Sequence, residues 1–199
     1  MYSERTNKML THKGTQTLRT ERLILRRFTP DDAQNMYNNW ANDERVTKFM
    51  TWTPHESAEA TLELLKLWCA DYEKENNYNW VIELDGTIIG SISVVGFNEH
   101  DKRAEIGYCL SYKHWNKGFM PECVKTVIDY LFSEIGFNRI EISHAVKNPA
   151  SGRVAQKCGL TFEGTKRQYF KSNSGEYLDI SFHGILRSEW EALRTEETK

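Results

Sequence analysis

Residues 103 to 122 read RAEIGYCLSYKHWNKGFMPE. The stretch begins as an apolar strand, crosses a short polar loop that holds Lys117 and Gly118, and then opens a helix. A helix start leaves backbone N–H groups without internal partners and carries partial positive charge. A glycine there lets the main chain approach a ligand with no Cβ in the way. Asn116 to Pro121 straddle this point, so the chemistry on offer is anion binding, of a phosphate or pyrophosphate. An ordinary loop with a capping glycine has the same outline. The stretch is neither G-x-G-x-x-G nor G-x-x-x-x-G-K-[ST], so neither a dinucleotide site nor a P-loop is indicated. One carboxylate, Glu105, stands in the strand beside Ala104, Ile106 and Tyr108. Apolar surroundings raise a carboxyl's pKa toward values useful to a base; on a solvated face Glu105 would simply pair with Lys102 or Arg103.

The elements that must position these residues follow from periodicity. "TLRTERLILRRFT" alternates Leu18, Leu23 and Leu25 with charged residues and reads as one strand. Thr29 and Pro30 start a helix, and a short helical piece follows at about 43–49. Ala60, Leu62, Leu64, Leu65, Trp68 and Tyr72 lie at helical spacing in a long amphipathic segment. "NYNWVIEL" and "TIIGSISVVGFN" flank the turn residues Asp85-Gly86, a hairpin signature. Residues 103–112 form the fourth strand, with Gly107 as a comfortable place for a bulge. "MPECVKTVIDYLFSEIG" is a helix closed by Gly136, "NRIEISHAV" a fifth strand, "PASGRVAQKCG" a short helix, and 160–186 a last hairpin. The order β, α, α, β, β, β, α, β, α, β, β gives an α/β class with a mixed sheet and helices on both faces. One domain is expected over 17–192, with a loose tail at 1–16; "SEWEALRTEETK" can be a brief helix that frays, with 193–199 as the C-terminal tail.

Composition removes several functions. The chain of 199 residues has a formal net charge of -2 and no sustained basic stripe, so no nucleic acid or anionic membrane surface is expected as a partner. The 4 cysteines, Cys69, Cys109, Cys123 and Cys158, form no CxxC or CxxH pair, so no zinc site and no disulfide frame are expected. Residues 1–20 lack an apolar signal region and no run is long enough to span a membrane, so the cytoplasm is the expected location.

Four separated blocks, "RLILRRFTPDDA", "AEIGYCLSYKHWNKGFMPE", "NRIEISHAVKNPASGRVAQKCGLTFEG" and "LDISFHGILRSEW", resemble, in the right order, the RimJ/RimL-like branch of the GNAT superfamily of acyl-CoA-dependent N-acetyltransferases. The resemblance covers about 17–192. It implies a mostly antiparallel twisted sheet splayed between the fourth and fifth strands. The superfamily loop, Q/R-x-x-G-x-G/A, corresponds to Trp115-Asn116-Lys117-Gly118-Phe119-Met120 here. Met120 is larger than usual, which would tighten the loop. The resemblance implies that Asn116, Lys117, Gly118, Phe119 and Met120 hold the pyrophosphate of acetyl-CoA. It also implies that Cys109, Leu110 and Ser111 pair with the pantetheine arm, as a strand edge accepts an extended chain. Asn148 resembles the family asparagine that bonds the pantetheine; as a bare residue it is a turn former before Pro149.

The implied reaction is attack of an amine on the acetyl-CoA thioester, with no metal. It needs a base, a donor to the oxyanion and a donor to the leaving thiolate. Glu105 falls near the register of the catalytic glutamate of some relatives, as base or as the residue that orients a water. The tyrosine common in the superfamily would fall at Ala155 and is missing. The branch has instead a serine three residues after the asparagine, which Ser151 matches. A helix-start serine also caps backbone amides. His144, Glu163, Tyr169 and Asp179 are weaker candidates for the acceptor cleft, and Trp40, Trp52 and Trp68 for its wall or for core. The implied acceptor is a primary amine, of a protein N-terminus such as a ribosomal protein's or of a small molecule such as an antibiotic or polyamine. A CoA-binding sensor without activity is the reading from another class. A homodimer is plausible from the branch.

Overall fold

The structure, a computed structural model, describes residues 9–197. The first expected strand is two. The Thr20 amide donates to the Leu23 carbonyl at 2.9 Å, closing a turn that folds β1 (Leu18–Arg19) back on β2 (Ile24–Arg26). Every later strand therefore moves up by one: β3 (Asn79–Leu84), β4 (Thr87–Asn98), β5 (Arg103–Leu110), β6 (Arg139–Ala145), β7 (Thr161–Lys171) and β8 (Tyr177–Leu186). They form one sheet in the order β1-β2-β3-β4-β5-β6-β8-β7. All neighbours are antiparallel except β5 and β6.

Helices cover both faces, as the sequence pattern predicts. A 3₁₀ turn at Pro30–Asp32 leads into α1 (Ala33–Met36) and a π turn at Tyr37–Ala41. The Asp32 carboxylate that starts it accepts from the Thr29 amide at 2.8 Å and from both terminal nitrogens of Arg26 at 2.8 Å. Then come α2 (Glu44–Thr47) and α3 (Ala58–Ala70), the latter capped by Ser57, whose hydroxyl accepts from the Ala60 amide at 3.2 Å. On the other face lie α4 (Phe119–Tyr130), which continues through a π turn to Ile135 and ends at Gly136, α5 (Pro149–Lys157) and α6 (Arg187–Glu197). The pleat sorts the sheet's side chains between them. Trp80, Ile82, Ile92 and Ile106 pack with Val124, Val127 and Phe132 in the main core. Val81, Ile88 and Cys109 pack with Met36, Trp40 and Leu65 in a second one.

One expectation about the chain ends is corrected. Residues 9–16 pack against the sheet instead of trailing from it. Thr15 is buried, its Oγ1 donating to the Asn77 carbonyl and accepting from the Asn79 amide at 2.9 Å each. The Trp80 indole donates to the Gln16 carbonyl at 2.7 Å and the Tyr130 hydroxyl to that of Gly14 at 2.8 Å. Buried aromatics need partners for their polar tips, and this segment supplies carbonyls. Residues 1–8 lie outside the described part. At the other end the brief helix expected from the sequence is α6, which runs to Glu197 and is held by Trp190, whose indole donates to Asp129 at 2.5 Å.

The sheet's special feature is the junction of β5 and β6. They pair only at Arg103↔Arg139, Ala104↔Ile140 and Glu105↔Glu141, and then diverge. A bulge bends the sheet beside that point, but not at Gly107, where it was expected. Gly107 pairs regularly with Ser93, and the extra residue is Val95 on β4, between Val94↔Ile106 and Gly96↔Glu105. Gly107 has a different reason: a Cβ there would lie 2.6 Å from Cγ1 of Val95. Gly107→Ala should therefore lower stability by about 2 kcal/mol, the usual range for overpacking, and Val95→Ala should restore most of the loss. Chemical denaturation of the two single variants and the double variant checks the coupling; additive losses would show that the contact is not the cause.

Candidate active site

The divergence exposes an edge. The Ser111 amide donates to the Ile89 carbonyl on the β4 side at 2.8 Å. By antiparallel alternation Ser111, Cys109 and Gly107 turn their backbone groups to β4, whereas Tyr108 and Leu110 turn theirs to the gap left by β6. The Leu110 carbonyl is taken by the Trp115 indole at 2.7 Å. Of the strand residues predicted to meet a pantetheine, Leu110 presents an amide to the open edge, Cys109 and Ser111 do not, and Tyr108 joins it. Cys109 instead contributes a buried thiol, 3.3 Å from Ser91 Oγ.

At the end of that edge the chain makes a 3₁₀ turn, Tyr112–His114, and the loop to α4. Asn116 (φ 60°) and Gly118 (φ 81°) are both left-handed. Gly118 is the residue that adopts this at little cost, and it is the N-cap of α4. Among the described residues, no amide from 116 to 120 donates to a backbone carbonyl. This is a set of backbone donors at the positive end of a 12-residue helix, able to bind an anion. Phe119 and Met120 are buried in the main core. The larger residue at 120 therefore fills the space under the helix and does not tighten the loop.

Arg22, in the turn between β1 and β2, clasps this loop, and sequence reasoning missed it. Its guanidinium meets the Glu122 carboxylate at 2.6 Å, donates to the Lys117 carbonyl at 3.2 Å and lies 4.5 Å from the Phe119 ring centre. Glu122 also accepts from the Thr20 hydroxyl and, at 2.9 Å, from the Arg22 amide. Burial pushes the Glu122 pKa up, but the Thr20 and Arg22 donors outweigh it and hold the group below its ordinary value.

Glu105 lies on the same face of β5 as Gly107 and Cys109, at the last pair before the gap. The Ser143 hydroxyl of β6 donates to its carboxylate. That face opens into a cavity of about 480 Å³ beside Gly107 and Cys109, walled by Met50, Trp52, Trp68 and Tyr78. Across the gap, Asn148 precedes α5 with its side chain in no hydrogen bond among the described residues. Ser151 caps nothing: its hydroxyl lies 2.9 Å from the Tyr108 hydroxyl. The pleat puts Tyr108 on the face opposite Glu105, so the alternation in the sequence already held the signal that both reach the gap from different sides.

The weaker candidates separate. Glu163 is ion-paired with Arg139, its Oε1 at 2.7 Å. Asp179 accepts from the Gln168 amide at 2.8 Å and so holds a bulge of the β7–β8 hairpin. Tyr169 is exposed and stacks edge-on to Phe182. His144 faces His183 with ring centres 5.2 Å apart. Trp40 is core, while Trp52 and Trp68 are half-buried cavity walls. Among the described residues no three His, Cys, Asp or Glu side chains are grouped as metal ligands, all four cysteines are free, and no helix is long and apolar enough to cross a membrane.

Comparison with known proteins bears on this geometry. Residues 22–161 match the acetyltransferase (GNAT) domain model. The chain is 35% identical over 172 residues to the uncharacterized N-acetyltransferase YoaA of Bacillus subtilis, covering 85% of this chain and 96% of that one. It is 25% identical over 169 residues to the spermidine N(1)-acetyltransferase of Vibrio cholerae, covering 84% and 95%. In fold it is similar, with a TM-score of 0.78 and 20% identity over 86% of this chain and 98% of the other, to RimL, a ribosomal L7/L12 alpha-N-protein acetyltransferase solved in complex with coenzyme A. A sheet open between β5 and β6, a donor-lined loop at the start of α4 and a family match over most of the length lead to one conclusion: this chain is an acetyltransferase of the GNAT family.

Proposed function

We propose that the chain transfers the acetyl group of acetyl-CoA to the primary amine of a small acceptor with an apolar body. The observation that carries this reading is the cavity on the Glu105 face, where Met50, Trp52 and Trp68 form the wall beside β5. Asp71 is the one carboxylate among its lining residues, and it is paired with Lys74 at 2.5 Å. A polyamine carries several ammonium groups that each need an anion or water on desolvation. Beside the neutral polar groups of Thr51, His55, Asn77, Asn79, Ser91 and Ser93, the cavity offers mainly apolar and aromatic surface, which suits a single amine on an aliphatic or aromatic frame.

Bound acetyl-CoA supplies the thioester whose carbonyl the amine attacks. The amides of residues 116–120 hold its pyrophosphate, with Lys117 adding charge and Arg22 fixing the loop. The Leu110 amide and the backbone of Tyr108 give the extended arm a strand edge, and the Asn148 side chain is free to bond it. Glu105 does not line the cavity; it stands two residues before the lining residue Gly107 on the same face of β5, and it receives the amine's proton through a water. Ser151, on the other side of the gap, donates a hydrogen bond to the sulfur as it leaves.

Three outcomes follow. Gly118→Asp puts a Cβ at φ 81° and a negative charge among the phosphate donors, and abolishes CoA binding in calorimetry; a folded variant with unchanged affinity would remove the loop from the site. Arg22→Ala raises the acetyl-CoA KM about tenfold with kcat nearly kept, as loss of uniform binding does. In a panel of apolar monoamines, polyamines and N-terminal peptides, thiol release is fastest with the monoamines. Turnover on peptides alone would return the acceptor to protein N-termini, and CoA binding with no turnover on any amine would favour a sensor.

A further inference from the structure

The Tyr108 phenol makes its hydrogen bonds with Ser151, 2.9 Å to Oγ and 3.2 Å to the main-chain carbonyl. A phenol has one proton, so the pair has two settings. If Tyr108 donates to the carbonyl, the serine proton is drawn back to the phenol oxygen. If Tyr108 donates to Oγ, the serine proton is free to point elsewhere. Ser151 Oγ has no helix amide to cap and no other partner among the described residues. The strand edge that carries Tyr108 is also the open edge at the gap.

We propose that Tyr108 is a positioning residue for Ser151: its O–H donates to Ser151 Oγ and so leaves the serine proton directed at the departing sulfur. This rests on the reading of Ser151 given above. Burial pushes the phenol pKa well above its ordinary value, so Tyr108 keeps its proton and remains a donor at any working pH. In the transfer a C–N bond forms and the C–S bond breaks. Sulfur leaves with the electron pair; Glu105 releases the proton it took from nitrogen to solvent, and a solvent proton taken up by the thiolate closes the balance as a free thiol. Ser151 and Tyr108 are unchanged; they supply hydrogen bonds, not protons. Their effect is to make the thiolate a better leaving group.

The test reads the thiol itself. CoA is bound to the protein and its thiolate is followed by ultraviolet absorbance against pH, with desulfo-CoA as the blank. The wild type is expected to hold the thiol pKa below that of free CoA. Ser151→Ala and Tyr108→Phe each raise it by about one unit, the size of one hydrogen bond to a charged group. The double variant goes no higher than either single one. In turnover, each single variant lowers kcat about tenfold and leaves the acetyl-CoA KM within about twofold. If Ser151→Ala changes neither quantity, the serine reading fails and this proposal falls with it. If Ser151→Ala shifts the thiol and Tyr108→Phe does not, only the Tyr108 proposal is overturned. Additive shifts would mean independent roles and overturn it too. A Tyr108→Phe chain that fails to fold or loses CoA affinity makes Tyr108 a structural residue, which is also a refutation.

Discussion

β5 has two neighbours, and only one of them follows it to the end. β4 pairs with it from Arg103 to Leu110, while β6 leaves after Glu105. The leading end of the divergence is held firmly: the Lys102 carbonyl accepts from the Asn138 amide at 2.7 Å, and Ser143 donates to Glu105. Beyond it two strands part inside a continuous sheet, which leaves backbone donors and acceptors at a protein's centre with no ladder to join. Such groups are costly unless something satisfies them. The loop at α4, the start of α5 and the aromatic cavity all stand around that opening, and each makes chemical sense only because the opening is there.

The forces that maintain it are local and identifiable. The extra residue on β4, Val95, increases bend and twist beside Glu105, and Gly107 gives its side chain room. β6 is drawn the other way by β8, with which it pairs from Arg139 to Ala145. Ser151 and Tyr108 bridge the far side through hydroxyls, which hold the two walls at a set distance without closing them.

Much of this was legible in the residues. Alternation located β3, β4, β6 and β8, helical spacing located α3 and α4, and the glycine before α4 marked a helix start that a ligand could approach closely. Glu105 could be placed on one face of its strand because the period of a strand is two. What escaped has a common physical character. Arg22 and Glu122 are 100 residues apart, and no local pattern announces that a hairpin turn will reach a helix start. The bulge at Val95 looks like ordinary strand sequence, since it arises from how two strands pair and not from either one. Residues 9–16 read as polar and loose because what they bring to the fold is main-chain carbonyls, which every sequence has. The backbone direction at Cys109 and Ser111 likewise depends on which neighbour holds them.

β6 pairs with β8 over seven residues and with β5 over three. The longer ladder therefore sets where the β6 wall of the opening stands. β8 lies on the far side of β6 from the gap. A change that shifts β8 would carry β6 with it and alter the width of the opening from a strand that does not border it.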